Sequence, residues 1–233
     1  MSLLTICQNA AKEVGFSAPS TIVGNTDQTA MQLFRLANKE GEILSRDDWQ
    51  ILKKEETFTL VTSTQTYDLP SDFRYIIPST TWNRDNRRMV INPLTSEEWQ
   101  FLKGWTQIQG LNLRARIRNN KLEFEQTITS ADNGKTIAYE YISDYWAQTS
   151  GGTAQAKFQA DSDTALLDEE LITQGVVWRF EKAKGLDFQA NYIDYMNLKK
   201  KILARDGGSR KLFFGEGEFT GKLGINLPDR GYG

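Results

Sequence analysis

Four pairs of adjacent acids, Asp47-Asp48, Glu55-Glu56, Glu97-Glu98 and Glu169-Glu170, are the side chains best able to do chemistry in this sequence. Two carboxylates hydrolyse a glycosidic bond only when they face each other across a cleft. Adjacent residues do not face each other on a helix or on a strand. Glu97-Glu98 and Glu169-Glu170 also fall at helix starts, where acids suit the positive end of the dipole. A carboxylate-dependent peptidoglycan hydrolase is therefore the weaker reading. The chain has no histidine, which removes imidazole acid–base catalysis, Ser-His-Asp and Cys-His arrangements and nearly every zinc site. Its one cysteine, Cys7, forms no intrachain disulfide. No catalytic residue, cofactor or metal is expected, and the chain reads as a structural subunit.

The basic residues allow a second chemistry, contact with phosphates. Arg114, Arg116 and Arg118 alternate along one strand face, but Glu123 and Glu125 follow at the spacing that would pair with them. Cross-strand pairing is the favoured reading. Trp82-Asn83-Arg84-Asp85-Asn86-Arg87-Arg88 is a polar loop in which Arg84, Arg87 and Arg88 either contact a partner ring or DNA, or lie in a solvated turn. Lys199-Lys200-Lys201 with Arg205, Arg210 and Lys211 reads as a solvated helix end. The net charge of -2 argues against a free-standing DNA binder. Gly215, Gly217, Gly221 and Gly224 are not followed by Gly-Lys-Ser/Thr and make no phosphate loop.

The elements that must position these groups follow from the hydrophobic period. Leu3, Cys7, Ala10, Ala11 and Val14 predict a short helix ended by Gly15. Asn25-Thr26-Asp27 caps a longer helix to about Arg46, and its apolar stripe includes Leu33, Ala37 and Leu44. From Trp49 to Trp146 the pattern is short strands and turns, interrupted by a small helix that Thr95 or Ser96 caps and Gly104 ends. The hairpin Leu113 to Gln126 turns at Asn119-Asn120, which sets Arg116 against Glu123, Ile117 against Leu122 and Ala115 against Phe124. Trp99, Trp105, Tyr139 and Tyr141 read as core or interface. Residues 147–163 read as a surface loop or connector. Two further helices follow, one acid-led with Leu171, Val176 and Phe180 on its stripe, the other from about Asp187 to Arg205.

The Gly-rich stretch after Asp206 cannot build its own core. It reads as an arm that lays Phe213, Phe214 and Phe219 into a neighbour's groove. The expected fold is α+β: an antiparallel helical bundle with an inserted antiparallel β region and an extended C-terminal arm. The expected parts are 1–48 and 164–206 for the bundle, 49–163 for the β-rich region and 207–233 for the arm. Met1 to Ile6 lacks the pattern of a signal peptide, and no run of apolar residues is long enough to span a bilayer. The expected setting is cytosolic.

Several local strings and their order resemble phage head-to-tail adaptor proteins, including the tail tubular protein A group of short-tailed phages. They are Ser45-Arg46-Asp47-Asp48-Trp49, Tyr67-Asp68-Leu69-Pro70-Ser71-Asp72-Phe73, the arginine loop from Trp82, Tyr145-Trp146, and Trp178-Arg179-Phe180 before a last long helix. The resemblance implies a virion protein forming a homo-oligomeric ring, typically of about twelve copies, docked beneath the portal. Double-stranded DNA would pass through its channel without sequence-specific binding, and the ring would help retain the genome. It would be assembled in the bacterial host cytoplasm, with no membrane contact. Leu212, Phe213, Phe214, Phe219, Leu223 and Ile225 would dock on the portal, and the β region would face the tail nozzle or neighbouring subunits. A nozzle subunit is the neighbouring alternative.

Overall fold

The computed structural model describes residues 1–104 and 112–207. Helix α1 (Leu3–Glu13) starts under Ser2, whose Oγ accepts from the Thr5 amide. Gly15, at φ +84°, lets the chain turn away after it. Helix α2 (Gln28–Leu44) is capped by Asp27, which accepts from the Ala30 amide at 3.1 Å. The chain then enters strands β1 (Lys53–Thr59), β2 (Thr66–Asp68), β3 (Phe73–Ile76), β4 (Trp82–Asn83) and β5 (Arg88–Met89). Helix α3 (Ser96–Gly104) begins in a reciprocal cap. The Thr95 amide donates to Glu98 Oε2 at 2.7 Å, and the Glu98 amide donates to Thr95 Oγ1 at 3.2 Å. Hydrogen bonds from the Thr95 amide and hydroxyl to the exposed carboxylate favour its charged form and lower the Glu98 pKa.

Strands β6 (Ala115–Arg118) and β7 (Lys121–Phe124) form the hairpin that the charge pattern predicts. Arg116 opposes Glu123, Ile117 opposes Leu122 and Ala115 opposes Phe124. Asn119 and Asn120 hold φ +51° and +57°, the left-handed pair that a two-residue turn needs. Strand β8 (Thr136–Ser143) is the centre of the largest sheet. It pairs with β1 along one side, from Lys53↔Ile142 to Thr59↔Thr136, and with β3 and β4 on the other. A second sheet has the order β2-β7-β6, and all of these ladders are antiparallel. The architecture is mixed α+β.

Residues 147–163 lie largely at the surface, as their small side chains suggest, but they are more than a plain loop. They carry β9 (Ala147–Gln148) and β10 (Ala154–Gln155), and β11 (Thr164–Ala165) joins them as a third strand on β9. Trp146, Ala147 and Phe158 are buried in the same core as the helices. The segment is fastened by its acids rather than by apolar periodicity. Asp163 accepts from the Gln155 side chain and from the Gln159 and Ala160 amides, and Asp161 accepts from the Ile22 and Val23 amides. Bonds of this kind leave no repeat in the sequence.

Helices α4 (Glu169–Lys184) and α5 (Gln189–Asp206) complete the fold. Asp168 caps α4 and Gly185, at φ +72°, closes it. Helix α4 packs against α1, α2 and α5. It is therefore buried beyond its expected stripe: Thr173, Gly175, Val177 and Trp178 are inside as well. Helix α5 lies on its outer side, with Tyr195 its one fully buried residue. A separate core under the sheets contains Leu60, Leu122, Phe124, Ile137 and Tyr139. Trp99, Tyr139 and Tyr141 are buried, as expected, while Trp105 lies outside the described residues.

Candidate functional site

The paired acids sit on separate elements with separate tasks. Glu55 pairs with Arg84, Glu98 caps α3, and Glu169-Glu170 occupy the first turn of α4. Asp47 pairs with Lys199 at 2.8 Å, and Asp48 accepts from the Tyr75 hydroxyl. Among the described residues no cluster of His, Cys, Asp and Glu has the makings of a metal site.

The arginine loop is the tip of the β4–β5 hairpin. Asn83 is buried, and its Oδ1 accepts from the Asn86 amide at 3.0 Å, which folds the loop back on itself. Asp85 Oδ2 accepts from the Thr136 amide at 2.6 Å, and the Arg84 amide donates to the Thr136 carbonyl. These bonds seat the tip on β8. Arg84 then reaches Glu55 at 2.8 Å, and Arg87 stands exposed at φ +53°. Both line an open depression of about 490 Å³ with Glu55, Trp82, Tyr139 and Glu140; Arg88 does not. The structure thus brings together two of the three candidate arginines, beside two acids. That mixed surface suits contact with protein better than a grip on phosphates.

In the arginine ribbon Arg114 and Arg116 have the paired reading, while Arg118 opposes Lys121. Arg116 Nη2 meets Glu123 at 2.7 Å, and its guanidinium lies 3.8 Å from the centroid of the Trp99 ring. Arg114 lies 4.0 Å from Glu125. The arm residues Leu212, Phe213, Phe214, Phe219, Leu223 and Ile225 lie outside the described residues.

Two polar clusters escaped the sequence reading, and both fix how the parts are held. In the first, Asp72 accepts from Lys54 Nζ at 2.5 Å, Ser143 Oγ at 2.6 Å and the Tyr141 hydroxyl at 2.9 Å, tying the start of β3 to β1 and β8. Burial alone would raise its pKa, but these bonds and the Lys54 charge outweigh it and hold the carboxyl below its ordinary 3.8. Nearby, Arg74 donates to the Ser45 carbonyl and Tyr75 to Asp48, so the sheet is fastened to the end of α2. The second cluster joins Glu40, Arg179 and Tyr195. Glu40 is signalled in the sequence as an acid on the apolar stripe of its helix, and Asp72 by no pattern.

A depressed carboxyl has a definite pH signature. The stability Asp72 contributes is present above its unfolded value near 3.8 and is lost as pH falls through its lower folded value. Asp72→Asn is expected to cost about 1.5–3 kcal/mol at neutral pH, the usual worth of bonds to a charged acceptor. It should also flatten the acid limb of the stability curve. Urea unfolding from pH 2 to 7 checks both, and an unchanged acid limb would show that Asp72 is not the titrating group.

The SU10 adaptor protein family model matches residues 1–210. The chain belongs to the SU10 adaptor protein family. No curated protein matches it significantly. An SU10 adaptor is a phage head-to-tail adaptor, a structural virion component whose family role is contact with portal and tail proteins rather than catalysis. The polar clusters at Asp72 and Glu40 tie elements of the fold together. Among the described residues no helix is long and apolar enough to cross a membrane.

Proposed function

We propose that this SU10 adaptor forms a ring, of about twelve copies, that joins the portal to the tail and helps retain packaged DNA. The observation that carries the reading is the family match over residues 1–210. Within the adaptors, the order of local strings is similar to that of the tail tubular protein A group. The helices before 49 and after 163 form the bundle that serves as channel wall. The β-rich part between them, with Arg84 and Arg87 at its hairpin tip, meets the tail or a neighbouring subunit. The net charge of -2, with both signs mixed on the surface, suits a wall past which DNA must slide. Residues 207–233, nearly all beyond the matched span, are the arm that docks on the portal through Phe213, Phe214 and Phe219 together with Leu212, Leu223 and Ile225.

Deleting residues 208–233 tests the arm. The truncated chain is expected to unfold at the same urea concentration as the full chain and to lose its place on purified portal, measured by co-sedimentation. Docking at full occupancy by the truncated chain would assign the portal contact to the folded part.

A further inference from the structure

The one Asn-Gly pair in the sequence, Asn133-Gly134, stands in the turn between β7 and β8, and both residues are exposed. An asparagine side-chain amide is an electrophile towards the main-chain nitrogen that follows it, because attack there closes a five-membered ring. A Cβ on the following residue hinders the approach, and glycine has none. Nothing lies within 4 Å of the place a Cβ on Gly134 would take, and the residue holds φ +79°. The turn therefore needs glycine for its left-handed backbone, not for room. The other asparagines precede residues with side chains, and Asn92 precedes Pro93, which has no N–H to give up.

Two hydrogen bonds hold this pair against the segment after β1. The Gly134 amide donates to the Leu60 carbonyl at 2.9 Å, and Asn133 Oδ1 accepts from the Thr62 amide at 3.0 Å. Ring closure requires the Gly134 proton to be taken by a base in solution, and the first bond turns that proton towards a carbonyl instead. It also requires Asn133 Cγ to come onto the Gly134 nitrogen, and the second bond keeps the side-chain amide on Thr62. The Leu60 amide donates to the Lys135 carbonyl at 2.8 Å, which shuts the far end of the turn.

We infer that Asn133 is a site of spontaneous deamidation, and that the bonds to Leu60 and Thr62 set its rate. When the turn opens, the Gly134 nitrogen loses its proton and bonds to Asn133 Cγ, and the side-chain nitrogen leaves as ammonia. Water then opens the succinimide. Breaking the new N–Cγ bond gives an aspartyl residue. Breaking the bond to the original main-chain carbonyl gives an isoaspartyl residue, whose chain runs through Cβ. The balance is amide and water to carboxylic acid and ammonia, with nothing oxidised or reduced. Both reacting groups lie in one turn, so no partner is required. The product places a negative charge beside Asp132. Its isoaspartyl form also lengthens the main chain just before Thr136, whose amide and carbonyl hold Asp85 and Arg84 of the arginine loop.

The test ages the full-length chain at mildly alkaline pH, folded and in urea, and follows each asparagine by peptide mass and isoaspartyl methyltransferase labelling. In the folded chain the product is expected at position 133 before any other. It should form about tenfold more slowly than in urea, the protection that two hydrogen bonds of an exposed turn provide. Thr62→Pro removes one of the two donors and suits the backbone. The Thr64 amide bonds to the Val61 carbonyl and Ser63 holds φ +64°, the type II pattern that favours proline at its second position. The variant, shown to be folded by an unchanged urea midpoint, is expected to deamidate at 133 about threefold faster than the parent when folded and at the parent's rate in urea. Product appearing first at another asparagine, or none at 133 in either state, would overturn the site. A folded parent that reacts as fast as the unfolded chain, or faster, would overturn the gating whether or not the variant folds. Faster reaction would mean that the Thr62 amide activates the Cγ carbonyl instead of restraining it.

Discussion

Glu40→Gln is expected to lower the unfolding free energy by about 3–5 kcal/mol, the cost of stranding one partner of a buried ion pair. Glu40 is fully buried, and its two oxygens are shared between the Arg179 guanidinium and the Tyr195 hydroxyl. One acid on α2 thus holds both α4 and α5. Its room is made by Gly175, where an added Cβ would lie 2.4 Å from the Glu40 side chain. Arg179 is steadied from the other side by the Trp178 ring, 4.2 Å from its guanidinium carbon. An amide in place of the carboxylate leaves that guanidinium without a counter-charge in a nearly closed site. Burial and then the Glu40 charge raise the Tyr195 pKa, so its phenol is a donor at neutral pH. Tyr195→Phe should accordingly cost less than Glu40→Gln, about 1.5–3 kcal/mol. Urea midpoints of both variants check the order. A Glu40→Gln midpoint within error of the parent would mean that water reaches the pair. The pair double change Glu40→Met with Arg179→Met should cost less than Glu40→Gln alone, because it removes both charges together.

The β6–β7 hairpin is legible in the sequence and the Glu40 cluster is not, and both follow from one physical cause. Register, turn and charge pairing in the hairpin are settled by residues a few positions apart, as with Arg116 and Glu123. The caps at Asp27, Thr95 and Asp168 are equally local. Glu40, in contrast, meets Arg179 across 139 positions, and Asp72 meets Tyr141 and Ser143 across 69 and 71. No period in the sequence encodes such a bond. The same limit explains the arginine loop. Its turn was legible, but the neutralisation of Arg84 by Glu55 depends on β1 and β4 flanking β8. It also explains α4, where a single stripe was expected and nearly the whole circumference is buried, because α1, α2 and α5 surround it. The adaptor likeness was carried by the order of strings, which does not depend on knowing their contacts.

Trp146→Ala is expected to be as damaging as the loss of Glu40, for a packing reason. Trp146 is 1% exposed and fills the joint between the end of β8, Phe158 and α2. Its indole rests on Gly41, where an added Cβ would lie 2.2 Å from the ring carbons. A glycine in mid-helix costs about 1 kcal/mol against alanine, and here the ring occupies the space that a side chain would need. Removing the indole leaves a cavity as well as lost contact area, so about 3–5 kcal/mol is expected. Its Nε1 has no hydrogen-bond partner among the described residues, so Trp146→Phe sacrifices no bond and should cost less than Trp146→Ala. Gly41→Ala should cost about 1–3 kcal/mol in the parent by overpacking. In a Trp146→Ala background the same change meets empty space, and its helix propensity makes it neutral or stabilising. A double-mutant cycle by urea unfolding reads that reversal directly. If Gly41→Ala cost the same in both backgrounds, the indole would not be what keeps position 41 a glycine. The joint would then owe its stiffness to the acids of 161–163 rather than to this contact.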